Sequence, residues 1–85
     1  ANPPAEITVG YYAAVANTGG NGVTVRGGPS TGNVRLLTAA EGRLMLIIGG
    51  PEVGGDFTWW EVRLDDGTEG WVAGDFLAPA PVPEE

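Results

Sequence analysis

Ser30 and the threonines are the hydroxyls available as nucleophiles, and nothing in the chain can activate them, because it contains no His, no Cys and no Lys. The carboxylates Asp65 with Asp66, and Asp56 with Glu61, are the pairs that glycoside hydrolysis would need. Acids at turn tips, however, ordinarily stay solvated and shape the turn. The run Asp65-Asp66-Gly67-Thr68-Glu69 invites a calcium reading, yet it lacks the alternating acids and the later Glu of an EF-hand loop. The glycine pairs at 19–20, 27–28, 49–50 and 54–55 have neither phosphate-loop nor dinucleotide spacing and read as loops. The expectation is a protein that is not an enzyme and uses no metal or cofactor.

The aromatic residues carry the remaining chemistry. Indole faces stack on sugar rings, prolines and bases, so an outward pair of tryptophans makes a binding platform. Whether Trp59 and Trp71 point outward depends on the strands that hold them. Strand side chains alternate faces, so a slip of one residue turns every one over. A three-residue loop Asp65-Asp66-Gly67, with Gly67 at positive φ, sets Arg63 opposite Glu69 and Trp60 opposite Val72. Trp60, Val62 and Val72 then face the core, and Trp59, Glu61, Arg63, Glu69 and Trp71 face the other way. Arg26, at the end of its strand, reads as a tie for the carbonyls of the Gly27-Gly28-Pro29 turn.

Fifteen glycines and seven prolines in 85 residues point to short strands and many turns, an all-β domain. Candidate strands cover Ile7 to Val15, Val23 to Arg26, Leu44 to Ile48, Trp59 to Leu64 and Gly70 to Val72. Residues 1–6 read as an extended lead, 7–77 as the folded domain, and 78–85 as a Pro-rich acidic tail or linker. A chain this short buries only about 60% of its unfolded surface, which leaves little room for an enclosed cleft. Its net charge of −7 repels a phosphate backbone, which argues against a nucleic-acid partner. The longest apolar run, Leu44 to Ile48, falls far short of the roughly 20 residues a membrane-spanning helix needs. The first residues are not expected to be a signal peptide, and Ala1-Asn2-Pro3 is compatible with what remains after one was removed.

The segments Val23-Thr24-Val25-Arg26-Gly27-Gly28-Pro29-Ser30 and Trp59-Trp60-Glu61-Val62-Arg63-Leu64-Asp65-Asp66-Gly67-Thr68-Glu69-Gly70-Trp71-Val72 resemble, in order and spacing, the bacterial SH3 family. The likeness covers Tyr11 to Leu77. It implies a small SH3-like barrel of about five strands, in an extracellular or cell-envelope protein that binds cell-wall peptide or glycan. Trp59 takes the first position of a Trp-Trp pair that lines the proline-peptide groove in eukaryotic relatives. The resemblance thus implies a ligand role for Trp59, with Trp71, Tyr11 and Tyr12 completing the contact surface.

The strand after Gly42 departs from that family's alternation. In Leu44-Met45-Leu46-Ile47-Ile48, placing Met45 and Ile47 in the core sends Leu44 and Leu46 outward, where apolar side chains need cover. Val34, Leu36, Leu37 and the stretch Tyr11 to Val15 repeat the pattern. The alternative reading is therefore a structural subunit binding further copies of itself. It would assemble through Leu44 and Leu46, with Ile7-Thr8-Val9 adding as a strand to a neighbouring copy, so that Ile7 and Val9 join the self-association surface.

Overall fold

A computed structural model describes residues 6–81. The lead expected over residues 1–6 and the end of the expected tail lie outside that range except for Glu6 and the residues up to Pro81. The described chain is all-β, with one short 3-10 turn: β1 (Tyr12–Val15), β2 (Val23–Arg26), β3 (Arg35–Ala39), β4 (Leu44–Gly54), β5 (Phe57–Arg63), β6 (Glu69–Ala73), the turn Gly74–Phe76, and β7 (Leu77–Ala80). No described helix is long and apolar enough to cross a membrane.

The strands form one antiparallel sheet in the order β3-β2-β6-β5-β4-β1-β7. Strands lie about 4.8 Å apart, so a flat sheet of this size would hold its two edges about 29 Å from each other. Yet Ala39 from edge strand β3 and Leu77 from edge strand β7 belong to the same core cluster as Ala13, Val25, Met45, Ile47, Val62 and Val72. The sheet therefore coils around one apolar face. β3 and β7 do not pair with each other, so the coil stays open. The five-strand barrel anticipated from the sequence is corrected to seven strands in an open sheet.

β2 has the boundaries expected for it, and the β5–β6 hairpin has the expected register, with Arg63 opposite Glu69 and Trp60 opposite Val72. Gly67 supplies the positive φ of +91°, and Arg63 Nε donates to Glu69 Oε2 at 2.7 Å. Four elements, β1, β3, β4 and β7, differ most from expectation. The stretch Ile7 to Val9 precedes a turn closed by Tyr11 N–H donating to Thr8 O at 3.1 Å, so β1 begins only at Tyr12. β4 continues past Ile48 to Gly54, with irregular pairing around Gly49. β3 and β7 are additional, and β7 takes Ala78 to Ala80 out of the expected tail and into the sheet.

β7 is an edge with a particular polarity. The Ala16 N–H donates to Phe76 O at 2.9 Å, and this fixes the alternation along the β1–β7 ladder. Ala14 with Ala78 and Tyr12 with Ala80 exchange hydrogen bonds, whereas the backbone of Leu77 and Pro79 points to the open side. The Leu77 N–H turns back to Gly74 O, and Pro79 and Pro81 have no N–H to offer. The outer edge of β7 from Leu77 to Pro81 thus presents carbonyl acceptors without a donor.

Candidate functional site

Trp59 leaves β5 on the face opposite the core, as strand alternation requires, and it stands outside the core cluster. It is nevertheless only 3% exposed, so the outward indole anticipated from the sequence is corrected to a roofed one. The roof is tertiary. Indole Nε1 donates to Gly54 O at 3.0 Å, and a Cβ on Gly54 would stand 1.9 Å from Pro29 O and 3.2 Å from the Trp59 ring. The loop after β2 thus lies directly on the β4–β5 hairpin at a position that only glycine can occupy. Arg26 holds that loop at its far end, its Nη1 donating to Asn33 O at 3.1 Å and not to the Gly27-Gly28-Pro29 carbonyls expected from the sequence, while Asn33 Nδ2 donates to Ser30 Oγ at 2.8 Å.

Beside this roof an open hollow of about 270 Å³ remains, lined by Thr24, Arg26, Thr31, Phe57, Trp59 and Phe76, with Gly22, Val23 and Ala73 also in its wall. Phe57 meets Trp59 edge to face at 5.9 Å between centroids and Phe76 at 6.3 Å. Phe57 and Phe76 were not singled out in the sequence. Phe57 stands two residues before Trp59 on β5 and so shares its face, although the expected strand began only at Trp59, while Phe76 is brought there by the 3-10 turn. Among the described residues, Arg26 is the one charged residue lining the hollow.

A second, larger groove of about 590 Å³ lies on the outer face of β1, β4 and β5, lined by Tyr12, Leu44, Leu46, Arg43, Arg63, Leu64 and Asp65, with Gly42. Met45 and Ile47 fill the core at 0% and 1% exposure, so Leu44, 38% exposed, and half-buried Leu46 do point outward. Leu46 stands opposite Tyr12 on one side and Arg63 on the other. The groove's two arginines are each held by an acid at 2.7 Å, Arg43 by Asp65 and Arg63 by Glu69.

Three of the sequence's candidates, Tyr12, Leu44 and Leu46, thus converge on one groove, and Trp59 lines the other hollow. Trp71 is half-buried between Glu61 and Arg26 on neighbouring strands and lines neither. Tyr11 and Val9 are exposed, and Ile7 packs against this chain's own core instead of extending away from it. The described carboxylates do not gather: no three His, Cys, Asp or Glu side chains come together among the described residues. Two acids are tuned by local hydrogen bonds. The Thr18 hydroxyl lowers the Glu41 pKa, and the Thr68 N–H, donating at 2.9 Å, lowers that of Asp66, which makes Asp66 a turn acid.

Comparison with protein-family models, with curated proteins and with solved structures finds no match to this chain.

Proposed function

We propose that this chain is a non-catalytic binding module of SH3-like kind, working outside the cell or in its envelope and recognising cell-wall peptide or glycan. The observation that carries the reading is the open aromatic hollow in which Phe57, Trp59 and Phe76 meet beside Arg26, Thr24 and Thr31. Aromatic walls with a few polar groups are how small sites bind apolar and sugar-like surfaces with orientation. The SH3-like assignment is supported by the two resembling segments, which form β2 with its turn and the β5–β6 hairpin. Both border the hollow.

The test is co-sedimentation with purified peptidoglycan. Trp59 itself is a poor probe, because its loss would unroof the loop. Thr31→Tyr fills the hollow from an exposed position and is expected to reduce sedimentation at least about tenfold, with the folded state unchanged by circular dichroism. Unaltered sedimentation of that variant would remove the hollow from the reading.

Self-association is the second reading, and the Tyr12, Leu44 and Leu46 groove favours it. There Leu46→Lys is the discriminating variant: loss of oligomers in light scattering, with wall binding intact, would assign the groove to contacts between copies.

A further inference from the structure

Four arginines face eleven acids in this sequence, and the structure divides the four unequally. Arg43 and Arg63 are each paired with a carboxylate. Arg26 and Arg35 have no carboxylate within 4.0 Å among the described residues, although they are direct cross-strand partners on β2 and β3. Like charges placed opposite each other on a sheet repel and destabilise it. In a chain with an excess of acid, an uncompensated pair of this kind is a local concentration of positive charge that an anion would relieve.

Its surroundings define what the anion would be attached to. Arg26 lines the Phe57, Trp59 and Phe76 hollow. Of its five N–H donors, the Asn33 carbonyl takes one. Trp71 stands on the other side of Arg26, on β6, and separates it from Glu61. The Glu61 carboxylate is turned the opposite way, over β4, where a Cβ on Gly49 would lie 2.8 Å from Oε1. Arg35 is exposed at the sheet edge and stands opposite Arg26, so both side chains leave the same face. One guanidinium fork in the wall of an aromatic hollow, with a second arginine opposite it on the neighbouring strand, matches a planar oxyanion carried on an apolar body.

We propose that Arg26 and Arg35 form the anchoring end of this hollow and bind a carboxylate attached to an apolar group, such as the terminal or side-chain carboxylate of a peptide. This rests on the reading of the hollow as the ligand site and adds the ligand's charge and polarity: carboxylate toward β3, apolar body toward Phe57.

The experiment is a titration of the whole isotope-labelled chain, followed by amide and indole NMR shifts. The probes are N-acetylphenylalanine, its uncharged amide, and inorganic phosphate. The acid is expected to move the Trp59 indole, Ala73 and Arg35 signals and to bind about tenfold more tightly than the amide. Arg35→Gln, at an exposed position, is expected to remove that preference and leave the amide's binding unchanged. Arg35→Lys is expected to restore part of it. Equal binding of acid and amide in the hollow would overturn the anchor while leaving the hollow as a site. Binding of neither probe there would overturn the hollow and the anchor together. Phosphate reproducing the acid's shifts at equal concentration would show a generic anion site and overturn the requirement for an apolar body.

Discussion

Replacing Trp59 with Phe keeps an aromatic plate beside Phe57 but deletes the N–H that donates to the half-buried Gly54 O. The lost hydrogen bond and the lost ring volume together cost about 2 kcal/mol. Urea denaturation of Trp59→Phe should show a lower midpoint with an unchanged slope. The acids set the pH limit at the same scale. Glu41 and Asp66 both have pKa values below their ordinary values near 4.5 and 3.8. Groups depressed in the folded state add stability above their unfolded pKa and lose it as pH falls through the folded one. Thermal midpoints should therefore stay level from pH 7 to about 5 and fall below about 4.5, and the fall should be shallower in a Glu41→Gln, Asp66→Asn double variant.

At the scale of elements, β7 makes the clearest statement. Its outer edge lacks donors because Pro79 and Pro81 occupy alternate positions on the open side. Pro79→Ala combined with Pro81→Ala restores two N–H groups and opens the edge to strand addition. Light scattering of that variant should show association growing with concentration beyond that of the parent chain, and no increase would mean the edge is closed by something else. The β5–β6 hairpin was legible in the sequence because an Asp-Gly step and strict alternation act over fourteen residues of contiguous chain. β3 was not, since a bulge between its pairings with Val25 and Arg26 breaks the alternation, and β7 was not, since prolines there read as a linker. The roof over Trp59 depends on Pro29 meeting Gly54, a contact between distant segments for which no local pattern exists. The aromatic hollow was thus legible only through Trp59.

The whole molecule carries a net charge of −7, with a compact Cα radius of gyration of 11.6 Å. A field of that sign slows approach to an anionic cell wall, and it is screened over about 8 Å at physiological ionic strength. Association rates with wall fragments should rise between about 10 and 150 mM salt, the reverse of a basic module; a fall would place the recognition charge outside this chain's field. The direct pairing of β1 with β7 also brings the two ends of the described fold together. Tyr12 and Ala80 are cross-strand partners on β1 and β7, with Cα atoms about 5.5 Å apart in such a pair. Tension applied through the two flanking segments would therefore enter at one corner, across the strands. The β1–β7 ladder would open bond by bond from Tyr12 and Ala80 toward Val15 and Leu77, instead of shearing all at once. With both ends tethered, the load would therefore reach the outermost strand first, and β7 would peel from β1 before the rest of the sheet bears force.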